Sequence, residues 1–97
     1  MSKSKAYHAE LIEGLRDPGE AEEYLNAALE EEDPELFLVA LRNVAEAQGG
    51  VAQLAEKTKL NRESFYKMLS ERGNPELKSL DALLYALGFR LAVTANK

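Results

Sequence analysis

The sequence predicts an all-α fold: a bundle of about five helices that contains a helix-turn-helix and ends in a short strand. Three observations predict it. Residues 51–69, VAQLAEKTKLNRESFYKML, read as two short helices joined by a tight turn. Upstream, Asp17-Pro18-Gly19-Glu20 and Asp33-Pro34-Glu35 each combine an acidic cap, a proline at the first helical position and a glutamate in the first turn. Downstream, Leu77, Leu80, Leu83, Leu84 and Leu87 fall at helical spacing, and Gly88 closes them as a left-handed cap.

Taken in order, residues 1–5 are expected to lack order. Residues 6–16 place Tyr7, Leu11 and Leu15 four apart, which is helical spacing, but Gly14 interrupts it and makes the helix marginal. His8 is the one histidine and stands beside Glu10, an ordinary surface arrangement. The helix that starts at Asp17 runs to about Glu32, with Ala21, Tyr24, Leu25, Ala28 and Leu29 on one face. Glu30-Glu31-Glu32-Asp33 lacks the glycine turn a calcium loop needs, so it reads as a solvated link or as a surface kept acidic for a partner. The next helix carries Leu36, Phe37, Ala40, Leu41, Val44 and Ala45 on a broad apolar face, and Gly49-Gly50 stops it. Those glycines are either a plain C-cap or, at Gly50, an unhindered N–H for a phosphate.

Within the central stretch the first helix covers Val51–Lys57, the turn Thr58–Asn61 and the second helix Arg62 to about Leu69. Leu54, Ala55, Leu60, Phe65 and Met68 have the spacing that two crossed helices need, with Ala55 at their closest approach. Asn61 is the expected N-cap. Arg62, Glu63, Tyr66 and Lys67 are left on the outer face. A short helix with an apolar inner face and hydrogen-bonding residues at its exposed start has the form of a DNA-recognition helix, although many helical hairpins share this spacing and bind nothing. Past a turn-rich loop at residues 70–76 and the leucine-rich helix, Phe89, Leu91 and Val93 alternate with Arg90, Ala92 and Thr94. This predicts a short strand that needs a partner strand, in this chain or in a second copy.

Composition narrows the function. Ninety-seven residues without cysteine make one domain with no disulfide and no Cys-based zinc site. No apolar run approaches the ~20 residues that span a bilayer, and the polar N-terminus lacks a signal segment, so a soluble cytoplasmic protein is expected. One histidine, no glycine-rich phosphate loop and no Ser/His/Asp set give no catalytic residues; no metal, cofactor or small-molecule substrate is expected. The net charge of −5 is unevenly spread. Residues 1–49 hold four Lys/Arg against twelve Asp/Glu, a net −8; residues 50–97 hold eight against five, a net +3. The basic half contains the helix-turn-helix, as binding to phosphate requires.

The order of elements is that of the lambda repressor-like, XRE-type domain. The phrases EYLNAALEEEDPELFLVALRNVAEAQGG (23–50), LNRESFYKMLSERGNPELKSLDALLYALG (60–88) and FRLAV (89–93) resemble the HigA-like addiction-module antidote proteins, with RESFYKMLSERGNP the most specific part. Lys59 departs from the usual glycine of the turn. The resemblance implies an antitoxin that represses its own operon and neutralises a RelE-like ribonuclease toxin. Residues 1–33 would be an acidic, toxin-binding helical extension, and residues 34–97 the DNA-binding domain with a C-terminal dimerisation strand. Carried onto this sequence, the base-reading positions are Arg62, Glu63 and Lys67, able to address guanine and cytosine edges. Glu63 and Lys67 are equally placed for an i,i+4 surface pair. Gly50, Lys57, Ser64 and Tyr66 are candidates for backbone or accessory contacts. Tyr7, Leu11, Leu15 and Tyr24 are candidates for the toxin contact, and Phe89, Leu91 and Val93 for the homodimer. The competing readings are a stand-alone XRE-type regulator, a helical interaction module without DNA and, with least support, an enzyme.

Overall fold

In the computed structural model, which describes residues 3–58, 62–70 and 73–96, both Asp-Pro signals start a helix. The Asp17 side chain accepts the Glu20 N–H at 3.0 Å and begins α2 (Pro18–Glu30); the Asp33 side chain accepts the Glu35 N–H at 3.0 Å and begins α3 (Pro34–Ala47). Each carboxylate satisfies a backbone donor that the first turn leaves open. Ahead of them lies α1 (Lys3–Gly14), and after them α4 (Val51–Thr58), α5 (Arg62–Met68) and α6 (Leu77–Ala86). Among the described residues six helices replace the expected five or so, because the marginal segment does form a helix. It starts at Lys3, inside the stretch expected to lack order, and Gly14 takes its last position, where a glycine disturbs little.

The turn Glu31–Asp33 folds α3 back onto α2, and among the described residues this pair makes the most extensive helix–helix contact. The predicted end of α2 at about Glu32 is two residues late: the Glu31 N–H bonds back to Ala28 O and the Glu32 N–H to Leu29 O, and Glu32 adopts φ +57°. α1 lies against α3, and α4 packs on both α5 and α6. One buried cluster joins all of this: Leu15, Ala21, Leu25 and Ala28 from the start of the chain, Leu38, Leu41, Val44 and Ala45 from α3, then Leu54, Phe65, Met68, Leu83, Leu84 and Leu87.

Two loops set the angles between the later helices. Gly49 and Gly50 have φ +106° and +93°, and the Gly50 N–H donates to Ala45 O at 2.9 Å, which ends α3 and turns the chain into α4. Gly73 works differently, by close approach: a Cβ there would fall on the carbonyl oxygen of Met68, at the end of α5. Between them, Ser70 donates its N–H (3.3 Å) and its hydroxyl (2.9 Å) to Lys67 O, and Gly73 N–H donates to Ser70 O at 2.9 Å. The end of α5 is thus clasped by the loop that follows it.

The predicted strand at Phe89–Thr94 is not formed; the described residues contain no strand. After Gly88 (φ +93°) the Phe89 N–H donates to Leu84 O at 2.8 Å, and none of residues 90–96 shares a backbone hydrogen bond with another described residue. The described residues offer this segment no strand edge to pair with, so its period-2 pattern alone does not make a strand.

Candidate nucleic-acid interface

α5 has two unlike faces. Phe65 and Met68 stand three apart and are buried in the cluster that also holds Leu54 of α4, the helix α5 packs on, with Phe65 only 1% exposed. Three-residue spacing on one face leaves Arg62, Glu63, Tyr66 and Lys67 on the other, and all four are exposed, as is Ser64. Lys57, in the last turn of α4, is exposed as well. The end of α4 is closed by the Thr58 hydroxyl, which donates to Leu54 O at 3.0 Å. The outer face therefore presents donors from Arg62 and Lys67, an acceptor from Glu63 and the ring and hydroxyl of Tyr66. These are the groups that base edges and phosphates recognise. Among the described residues Arg16 pairs with Glu13 and His8 contacts Glu46, so Glu63 and Lys67 do not pair with each other here. The readings of Lys59 in the turn, Leu60 in the packing and Asn61 as cap fall outside the described residues. The Gly50 N–H is engaged in the cap of α3.

The N-terminal candidates do not come together as one face. Leu15 is a core residue, 3% exposed: the chain turns into α2 there, and Leu15 joins the buried cluster that holds Ala21, Leu25 and Leu41. It is not available to a partner as the spacing of Tyr7, Leu11 and Leu15 suggests. Leu11 is half-buried against the same core. Tyr24 is half-buried and its hydroxyl accepts a hydrogen bond from the Asn43 side-chain amide at 2.8 Å. Tyr7 is open to solvent. At the other end Phe89 packs on the core, whereas Leu91 and Val93 are exposed.

Three features escape sequence reasoning. His8 pairs with Glu46 (3.2 Å), thirty-eight residues away, and not with Glu10. This contact bridges an open groove between α1 and the end of α3, bordered by Lys5, Ile12, Arg16 and Gln53. On α6, Leu77 and Tyr85 point away from the core and are strongly exposed. No local signal marks the first two. Tyr85 follows from the helical phase of α6, which sets it opposite Leu83 and Leu87; Leu77 shares the side of buried Leu84 yet is exposed, at the first position of the helix.

Among the described residues no three His, Asp or Glu side chains gather as a metal site, and no helix is long and apolar enough to cross a membrane. Residues 6–95 match the model of a family described as probable addiction module antidote protein. The chain belongs to that family. It is also 33% identical over 88 residues to an uncharacterized protein of Haemophilus influenzae, an alignment that covers 91% of this chain and 90% of that protein. No solved structure matches the chain. The exposed face of α5 thus lies in the basic half of this antidote-family chain, and twelve of its seventeen Asp/Glu lie in the other half.

Proposed function

We propose that this protein is an antitoxin that neutralises a RelE-like ribonuclease toxin and, as a homodimer, represses its own operon through a lambda repressor-like helix-turn-helix. The observation that carries the DNA-binding part is the two-faced α5: Phe65 and Met68 fix the helix to the core, and Arg62, Glu63, Tyr66 and Lys67 are left together outside. Membership of the antidote family supports the antitoxin part and a role without catalysis. In this reading Arg62, Glu63 and Lys67 read base edges, and Lys57, Ser64 and Tyr66 hold phosphate or sugar. Gly50 offers a bare Cα beside the backbone, since its N–H already caps α3. Leu91 and Val93 contact the second copy, and Phe89 anchors their segment to the core.

The net charge of −8 on residues 1–49 fits a basic partner, because a ribonuclease must hold phosphate, and complementary fields accelerate association. Residues 1–33 are the proposed toxin-binding extension. Its contact side chains are Tyr7 and the exposed edges of Leu11 and Tyr24, together with the surrounding carboxylates; Leu15 supports the fold beneath them.

Two measurements test the reading separately. A mobility-shift titration with the DNA upstream of the protein's own reading frame should give a complex that survives excess nonspecific competitor. Co-expression with the adjacent reading frame should restore the growth that this frame alone arrests. Retention on DNA without any growth rescue would leave the stand-alone regulator and remove the antitoxin.

A further inference from the structure

Besides the groove between α1 and α3, the N-terminal half holds a smaller one between α1 and the first turns of α2, with a volume of about 420 Å³. Its place follows from the helical repeat. Glu10 and Gly14 stand four apart on α1, and Glu20, Glu23 and Tyr24 share one side of α2. Of the N-terminal candidates, Leu11 and Tyr24 turn their exposed edges to this groove, Leu15 lies at its floor and Tyr7 does not line it. The groove is thus apolar inside and edged by carboxylates. Glu10, Glu20 and Glu23 are all exposed, and among the described residues none of the three carboxylates has a cation or a hydrogen-bond donor.

Glu20 stands out among them. In a capping box its carboxylate returns to the N–H of the capping residue, but the Asp17 N–H donates to Gly14 O at 3.1 Å. The carboxylate lies over Gly14 instead, with Oε2 2.8 Å from the point that a Cβ would take, so the missing side chain makes room for it. Gly14 is the last residue of α1. The charge of Glu20 suits the start of α2 and opposes the end of α1, where the helix dipole is already negative. A cation from outside the chain would relieve that opposition.

We infer that this groove is the socket for one arginine side chain of the toxin. The inference rests on the antitoxin reading above and names a contact within it. Charge complementarity commits the groove to a basic occupant, since its unpaired carboxylates meet a partner that must hold phosphate. The apolar floor selects a side chain that brings methylenes along with its charge. Carboxylates from two helices suit the forked donors of a guanidinium better than the single point of an ammonium. Tyr24, held at its hydroxyl by the Asn43 amide, supplies an aromatic wall for the planar group.

The experiment measures binding of the full chain to the protein of the adjacent reading frame by surface plasmon resonance, with a thermal melt of each variant. Glu20→Gln combined with Glu23→Gln should raise Kd about tenfold or more, mostly through faster dissociation, because the contact is desolvated. Glu30→Gln combined with Glu31→Gln removes the same charge outside the groove and should raise Kd by about threefold or less, through slower association alone. Gly14→Ala keeps every charge but displaces the Glu20 carboxylate; it should melt above the parent and still bind more weakly. On the partner, replacing one arginine by alanine should weaken binding as much as the Glu20/Glu23 change, and combining the two should weaken it little further. Three results would overturn the inference. If both glutamate pairs weaken binding alike and Gly14→Ala binds like the parent, the acidic half acts through its overall field, and the antitoxin reading stands without the socket. If the partner residue coupled to Glu20 and Glu23 is a lysine, the arginine assignment is wrong. If the parent chain neither binds that protein nor restores growth, the antitoxin reading fails and takes this inference with it.

Discussion

Gly73→Ala and Gly14→Ala should change stability in opposite directions. Neither glycine has a left-handed backbone, so on conformational grounds alone both substitutions should stabilise the protein, by roughly 0.4–1 kcal/mol, by restricting the unfolded chain. At Gly14 the added methyl meets only the Glu20 carboxylate, 2.8 Å away, the far end of a flexible exposed side chain that can swing aside. The helix-propensity gain at the end of α1 then remains, and the expected change is a stabilisation of about 0.5–1 kcal/mol. At Gly73 the methyl meets the backbone: it falls on the carbonyl oxygen of Met68, with the Met68 carbonyl carbon 2.9 Å and the Lys67 oxygen 3.0 Å away. These atoms close the last turn of α5 and cannot rotate away, so the loop or the helix must move. Overpacking of this kind costs about 1–3 kcal/mol, which outweighs the entropic gain. For a domain of this size each kcal/mol corresponds to roughly 4–8 °C in Tm. Thermal unfolding followed by circular dichroism should therefore place Gly14→Ala a few degrees above the parent and Gly73→Ala clearly below it. The displaced loop should also weaken operator binding, because the clasp formed by Ser70 and Gly73 fixes the end of α5. A Gly73→Ala protein that melts at or above the parent temperature would refute the close approach and the clasp built on it.

Other substitutions test the site and the core. Arg62→Ala should weaken operator binding by about 1–3 kcal/mol and relax preference at one base position, whereas Lys57→Ala should weaken all sequences alike and lower the salt slope by about one unit; a mobility-shift series against single-base operator variants separates the two. Leu15→Ala should lower unfolding free energy in urea by about 2–5 kcal/mol, as expected for a buried leucine and not for a surface waiting for a toxin. Removing residues 1–9 keeps Leu11 and Leu15 in place, so DNA binding should persist while growth rescue against the toxin weakens; full rescue would move the contact elsewhere. Glu32→Gly should raise unfolding free energy by up to about 1 kcal/mol, since Glu32 holds a left-handed conformation that disfavours a side chain.

Whatever depends on neighbours within about one helical turn is written in the amino-acid sequence. Asp17 and Asp33 start α2 and α3 because each carboxylate reaches a backbone N–H two or three residues ahead. Gly49, Gly50 and Gly88 end helices because they accept a positive φ. The two faces of α5 follow from the spacing of Phe65 and Met68, so the candidate DNA surface is legible in that spacing alone. The acidic and basic halves are equally plain. Which apolar residues lie inside is settled only by tertiary packing. Leu25 and Leu29 belong to one amphipathic stripe, yet Leu25 is buried and Leu29 is 53% exposed, because only part of the stripe meets the core. Leu15 shares the spacing of Tyr7 and Leu11, yet the turn into α2 buries it. The Asn43–Tyr24 hydrogen bond, the His8–Glu46 contact and the seat of Gly73 on the Met68 carbonyl join groups that no local pattern pairs. The segment after Gly88 shows the same division from the other side: alternation specifies which side chains would share a face, but a strand exists only where a second backbone supplies its hydrogen bonds.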